Sequence, residues 1–454
     1  MRLMLVLADD LSGAADCAVA CAGHGLHSLV LLSGRDVVLL SDRDADVLSI
    51  DCDTRSQSPA KAAAEVARLV HSYARSADHL LFKKLDSTLR GNVAAELAAA
   101  LEARRLISSD RRIVAVLAPA FPANGRTTSN GRQLVHGRPL EETEIWQREA
   151  APARSHIPET LQEAGLRSEL IPLHAIRSDM GELQSTMTRL AEAPDADVDV
   201  LVCDAETEDD LRAIAAASMV LSPSTVWAGS AGLAYHLPLA AGFAGTHASV
   251  SDQPLAAGPT LFVVGSLSSV SREQAKLLDA SPGIVSICIS GHTLIEGEHS
   301  PVWLRHQRTL HHALDAGSDT VVWLHPQHRV ENEKGPLLTA ALGRLAAQCA
   351  GRIGALVATG GESARSVLDA WGVTRLRILG QLEPGLPLSV TEGWTRQLPV
   401  LTKAGGFGTP QTLLHCRQFL RHLDRSSAAN LCPAPRSPAP RSPAPRSPAP
   451  ESRA

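Results

Sequence analysis

Short apolar runs rich in β-branched residues alternate with Ala/Leu-rich runs of helical period along almost the whole 454-residue chain. The strand-like runs are Leu3–Ala8, Ser28–Leu32, Val47–Asp51, Leu80–Phe82, Ile113–Leu117, Val198–Cys203 and Thr225–Ala228, then Leu261–Val264, Ile284–Ile289, Thr320–Leu324, Ala355–Ala358, Arg377–Leu379 and Val400–Thr402. Helical runs such as Gly13–Ala22, Ala60–Ala74, Val93–Arg104, Glu208–Ser218, Ser271–Asp279 and Ser363–Trp371 separate them. A strand that is apolar throughout must be covered on both faces, and intervening helices supply that cover, so the pattern predicts an α/β fold with mainly parallel sheets. The length exceeds one ordinary domain. A Ser/Ala/Gly/Pro-containing stretch at 247–259 reads as a linker, giving two domains, 1–246 and 260–424, each a mainly parallel sheet flanked by helices. Three copies of Ala-Pro-Arg-Ser-Pro between 434 and 448 mark 425–454 as a disordered, polyproline-leaning tail.

A net charge of -5 and a pI near 6.4 give no basic excess for nucleic acid or an anionic membrane. With aromatics at 3%, stacking platforms are not an expected mode of binding. The longest apolar runs are strand-sized, and Asp9-Asp10 halts the first before it resembles a signal peptide. The eight cysteines (17, 21, 52, 203, 288, 349, 416, 432) are scattered without a C-x-x-C pair, as expected of reduced thiols in a cytoplasmic protein. His325-x-x-His328 has no Cys or carboxylate partner nearby in sequence, so no structural zinc site is expected.

The chemistry-bearing residues collect where strands end. Asp9-Asp10-Leu11-Ser12-Gly13 follows the first strand, Asp51-Cys52-Asp53-Thr54-Arg55-Ser56 the third, and Lys83-Lys84-Leu85-Asp86-Ser87-Thr88-Leu89-Arg90-Gly91-Asn92 the fourth. Ala118 to Thr128, with Arg126, Thr127 and Thr128, forms another such turn. Carboxyl ends of parallel strands that feed helices are where α/β folds hold anionic ligands. Carboxylates there accept hydroxyl protons, and arginines grip carboxylates or phosphates. The rear half carries smaller turns, Gly265-Ser266-Leu267-Ser268, Thr359-Gly360-Gly361-Glu362-Ser363 and Lys403-Ala404-Gly405-Gly406. Glycines let backbone N–H groups approach phosphates. Neither a Walker A motif nor a Rossmann fingerprint is present, so a nucleotide site built from these turns would be of neither type.

Taken in order, ADDLSGAAD (8–16), KKLDSTLRGN (83–92), APAFPANGRTT (118–128), VVGSLSSVSREQ (263–274), ATGGESA (358–364), LEPGLP (382–387) and TKAGGFG (402–408) resemble the four-carbon acid sugar kinase family. The resemblance runs from residue 1 to about 423. It implies an N-terminal substrate domain, a C-terminal domain that binds ATP, and phosphorylation of the terminal hydroxyl of D-threonate, D-erythronate or a 3-oxo-tetronate. It places nucleotide contacts at Ser266, Ser268, Gly360, Gly361, Glu362, Ser363 and Gly405. On this reading Lys84, Arg90 and Arg126 serve the acid's carboxylate and the transferring phosphoryl group. Asp10 or Asp86 takes the hydroxyl proton, and Asp9, Gly91 and Thr127 complete the acid site. Mg²⁺ accompanies ATP, with Glu362 a candidate ligand and no dedicated metal site assigned. The first motif reads Asp-Leu-Ser-Gly-Ala-Ala-Asp where many members have Asp-Phe-Thr-Gly-Ala-Thr-Asp, a departure beside the expected substrate. A sugar-acid dehydrogenase or aldolase and a non-catalytic sensor of sugar acid and nucleotide are the competing classes. A homo-oligomer is compatible with all of them.

Overall fold

The alternation of strand and helix is realised as one continuous sheet. The computed structural model describes residues 3–32, 45–74, 79–108, 112–143, 146, 154–192, 197–243, 245, 254–325 and 335–423. The proline-rich tail, most of the expected linker, and His328 lie outside the described residues. In spatial order the sheet runs Ile284–Ile289, Asp319–Leu324, Thr260–Val264, Ala355–Thr359, Pro399–Lys403, Leu386–Thr391, Arg375–Glu383, Ser28–Leu32, Val47–Asp51, Met4–Ala8, Leu80–Lys84, Thr225–Gly229, Val114–Ala118, Val200–Cys203 and Ser168–Ile171. The first five are mutually parallel, as are the last eight.

The two parallel blocks are the two lobes, and the antiparallel strands Leu386–Thr391 and Arg375–Glu383 join them. Three successive antiparallel pairings cross that joint, so the blocks run in opposite senses. In a flat sheet their carboxyl edges would then face opposite ways. Neighbouring strands twist by about 20–25°, so the six steps from Met4–Ala8 to Ala355–Thr359 accumulate roughly 120–150° and swing the reversed block back towards the first. The ligand edges of both lobes can therefore meet.

The helix Leu11–Ala22 fills the junction. Its Leu11, Ala14, Ala15, Ala18 and Val19 pack in one core with Val367, Leu376 and Ile378 of the rear lobe. Cys17 and Cys21 turn into the front-lobe core. A helix made largely of Ala, Gly and Ser is thin enough to be covered from both sides.

Some elements depart from expectation. Lys83 and Lys84 belong to the strand Leu80–Lys84 rather than to the turn after it. The segment after Ala118, expected as loop, forms a small antiparallel sheet of Arg126–Ser129, Arg132–Val135 and Arg138–Pro139. Asn130-Gly131 and His136-Gly137 make its two turns with positive φ, and Asn-Gly is the dipeptide that favours such hairpins. The strand Leu386–Thr391 and the helices Met180–Glu192 and Ala231–Ala240 are further elements not read from the sequence. Among the described residues no helix is long and apolar enough to cross a membrane.

Lys83 is wholly buried. Its ammonium pairs with Glu96 at 2.8 Å and donates to the carbonyls of Leu7 and Lys84. Burial favours the neutral amine, but Glu96, Cys52 and Asp9 together outweigh it and the lysine titrates above its ordinary range. Glu96→Ala should cost about 3–5 kcal/mol in denaturant unfolding, because it strands a buried charge. A loss below about 1 kcal/mol would mean that the two carbonyls alone satisfy the ammonium.

Candidate functional site

Strand register brings the polar turns to one edge. Ala8 pairs across to Asp51 and Lys84, and Gly229 to Lys84 and Ala118. In the rear lobe Val264 aligns with Thr359, and Thr359 with Lys403. Each chemistry-bearing turn thus begins within a residue or two of a strand's carboxyl end.

In the front lobe Asp10 caps the helix Leu11–Ala22, accepting from the Gly13 N–H at 2.8 Å. Arg55 reaches in from the neighbouring turn. Its Nε donates to Asp9 at 2.6 Å and its Nη1 to Asp10 at 2.7 Å. Burial pushes the Asp9 carboxyl up, but Arg55, Lys84 and Lys83 prevail and hold it below the usual carboxylate range. Asp9 Oδ1, Ser12 Oγ and Thr54 Oγ1 are buried with no hydrogen-bond partner in the protein. Lys84 is nearly buried. Its ammonium donates to the Leu85 carbonyl at 2.7 Å and lies 2.9 Å from where a Cβ on Gly13 would stand.

Asp86 and Arg90 form a two-pronged pair at 2.7 and 3.2 Å, and Thr88 donates to the same carboxylate. Burial raises the Asp86 carboxyl, yet Arg90 and Arg55 outweigh it and hold the group well below its ordinary value. The turn is backbone-strained at Leu89, which has φ +58; a non-glycine residue in this region is held there by its surroundings. Gln133 donates to Ser87 O and the Trp146 indole to Thr88 O. Asn92 ties the turn to the carbonyls of Thr54 and Gln57. Gly91, at φ +83, brings its Cα close to Arg55 and Asp9. Thr127 is half-buried in the hairpin.

The rear lobe is built from hydroxyls, glycines and one buried lysine. Ser268 caps the helix Ser269–Asp279 through the Ser271 N–H and donates to Gly405 O at 2.6 Å. Ser266 sits beside both; a Cβ on Gly405 would fall 2.1 Å from its hydroxyl. Lys403 donates to the carbonyls of Ala404, Gly405 and Phe407, and burial draws its ammonium down to about 8. Gly360, at φ +90, precedes the helix Gly361–Ala370, whose Ser363 is buried against Gly265. Glu362 projects from the first turn of that helix. Its side chain is exposed, yet partial desolvation, with Asp53 and Asp10, raises the carboxyl against the pull of Arg55.

The two sets of turns touch. A Cβ on Gly361 would lie 2.9 Å from Ser12 Oγ and 3.0 Å from Asp10 Oδ2. Arg126 of the hairpin lies 5.9 Å from the centre of the Phe407 ring in the rear lobe. Arg126 Nη1 donates to Asn124 O, while its Nε has no partner. Asp9, Asp10, Asp86 and Gly91 thus gather around Arg55, Gly361 meets Asp10 and Ser12, and Ser266, Ser268 and Gly405 are in mutual contact beside Gly360. Arg55, Asn92, Gln133 and Trp146 were not singled out from the sequence as site residues. Arg55 had a legible signal, a cation in a strand-end turn; the others act through contacts far along the chain.

A family model described as "Sugar-binding N-terminal domain" matches residues 4–237, and one described as "Nucleotide-binding C-terminal domain" matches 261–413. A D-threonate kinase of Cupriavidus necator is 39% identical over 93% of this chain and 99% of its own length. A D-threonate kinase of Bordetella bronchiseptica is 34% identical over 92% and 97%. More distant relatives are named D-erythronate kinase and 3-oxo-tetronate kinase. A crystal structure from Salmonella typhimurium LT2, 21% identical, shares the fold with a TM-score of 0.73 over 92% of this chain and 99% of that one. With both halves matched and such relatives aligned nearly end to end, the chain belongs to the four-carbon acid sugar kinase family.

Proposed function

We propose that this chain transfers the γ-phosphoryl group of ATP to the terminal, C4 hydroxyl of a four-carbon sugar acid, with D-threonate as the acceptor. The observation that carries this reading is the direct meeting of Asp10 and Ser12 with Gly361. A carboxylate and a hydroxyl of the acid-side turns stand at the positive start of a helix whose preceding Gly-Gly admits phosphate. Residues 1–246 form the sugar-acid domain and 260–424 the nucleotide domain, a division supported by the ranges of the two matching family models. D-threonate is favoured over its isomers by the names of the 39% and 34% identical relatives.

The chemistry follows from the side chains present. Asp9 Oδ1, ionised and without a partner, accepts from a hydroxyl of the acid. Arg126, with an unused Nε, takes the carboxylate, helped by Thr127 and the backbone at Gly91. Asp10 orients the C4 hydroxyl and receives its proton as the oxygen attacks the γ-phosphorus and ADP leaves. Asp10 suits this better than Asp86 because its Oδ2 stands against the nucleotide-side helix start, 3.0 Å from where a Cβ on Gly361 would lie. Arg90 and Lys84 oppose the charge of the transferring group, and phosphoryl transfer asks for little beyond such alignment and charge stabilisation. Ser266, Ser268, Gly360 to Ser363 and Gly405 receive the triphosphate. An Mg²⁺ accompanying ATP would be held by the phosphates, water and Glu362, and would supply charge neutralisation.

Purified protein with Mg·ATP should release ADP on addition of D-threonate, faster than with D-erythronate or a 3-oxo-tetronate. Absence of ADP release with every four-carbon acid overturns the reading in favour of a sensor. Mg·ATP should also raise the melting temperature while NAD⁺ leaves it unchanged, and the reverse would favour a dehydrogenase. Asp10→Ala and Lys84→Ala should each lower kcat by about 100-fold or more with the fold intact by circular dichroism, and full activity in either removes that residue's role.

A further inference from the structure

We infer that Arg365 and Asp51 are a positioning pair that fixes the register between the nucleotide and sugar-acid lobes, and that phosphoryl transfer depends on it. Arg365 lies one turn into the helix Gly361–Ala370, whose first residues face the phosphate path. Its Nη1 pairs with Asp51 Oδ2 at 2.7 Å. Its Nε lies 3.4 Å from Asp369 on its own helix and 3.6 Å from Asp53 across the lobes. Asp51 is fully buried at the carboxyl end of Val47–Asp51, and its other oxygen accepts from the Asp53 N–H at 3.0 Å.

What Asp51 is attached to gives the pair its function. Four residues on is Arg55, which holds both Asp9 and Asp10. Between them, Thr54 offers its carbonyl to Asn92, and through Asn92 to the turn of Asp86 and Arg90. The nucleotide-side helix is therefore pinned to the turn that anchors the other acid-binding turns. Neither residue needs to touch a ligand for this.

The energetics favour register over stability. A buried ion pair gains little net stability over an apolar substitute, and burial pushes the Asp51 carboxyl up to about 7 even beside Arg365; parting the two either protonates Asp51 or strands its charge and loses the Arg365 bond, so sliding or rotation at that point is penalised. The seam it guards has no slack, since even a methyl group on Gly361 would collide with Ser12 and Asp10. Phosphoryl transfer is sensitive to this kind of displacement, because alignment supplies much of the rate.

The inference rests on the kinase reading, and the two fail differently. If the wild-type protein releases no ADP, the kinase reading falls. If it is active, Arg365→Gln, Asp51→Asn and the double variant decide the role of the pair. Each single variant should lose about 100-fold in kcat, while ATP affinity of the enzyme alone, read by calorimetry, stays within about threefold. The double variant should be no worse than the singles, as residues acting as one unit are not additive. Arg365→Lys, which keeps the charge and tests the role even where a neutral variant folds poorly, should fall between Gln and wild type. The inference is overturned if kcat is retained in Arg365→Gln, or in Arg365→Lys where the former does not fold. It is equally overturned if ATP affinity falls as far as kcat, which would make Arg365 a nucleotide ligand.

Discussion

Two carboxylates one peptide apart, Asp9 and Asp10, stand at the covered end of the first strand, and Arg55 binds both; with Lys84 and Lys83 it holds Asp9 below the usual carboxylate range against burial. Like charges in a poorly solvated place push each other's protonation up. A single guanidinium donating to each, at 2.6 and 2.7 Å, removes that conflict. Because Arg55 belongs to the turn after Val47–Asp51, the neutralisation also fixes the spacing of two strand-end turns. That turn is in turn held by Asn92 and by Arg365. Charge balance and cleft geometry are thus the same set of bonds.

The joint between the lobes works under the opposite constraint, a lack of room. Gly361 meets Ser12 and Asp10 across it at contact distance, and within the lobes Gly13 meets Lys84, Gly265 meets Ser363 and Gly405 meets Ser266 in the same way. The junction helix is Ala-rich for the same reason. A composition poor in aromatics is what a cleft lined by backbone and short side chains requires, with large residues kept for the cores, as Trp227, Trp303 and Phe262 are.

The alternation of apolar strands and helices was enough to read the α/β class, and the strand ends were enough to find the turns where polar residues gather. What escaped has particular causes. The hairpin at 126–139 was signalled by Asn130-Gly131, but Pro119 and Pro122 before it made the region look like loop. The merging of two blocks into one sheet rests on Arg375–Arg377 pairing with Leu29–Leu31, a match of hydrogen-bond edges that leaves no mark in either segment. The roles of Arg365 and Phe407 likewise need partners 314 and 281 positions away, Asp51 and Arg126. Lys83 shows the converse. In sequence it stands beside Lys84 in the same cationic motif, but the pleat turns alternate side chains to opposite faces and sends it to Glu96 in the core.

On the proposed kinase reading, Lys403 would serve the phosphate site without facing it. Its acceptors are the carbonyls of Ala404, Gly405 and Phe407, with the Ser271 hydroxyl at 3.4 Å. In a trans peptide the C=O and the following N–H point in opposite directions. Each carbonyl drawn inward to the ammonium therefore turns the next N–H, at Gly405, Gly406 and Gly408, away from it. Three N–H groups of one short, glycine-rich turn thus point away from the ammonium, as the proposed phosphate contact at Gly405 would require. Burial lowers the ammonium to about 8, and the same three carbonyls keep it supplied with acceptors. The lysine thus acts as a template for backbone orientation, which accounts for a cation in the Lys-x-Gly-Gly turn that is 1% exposed.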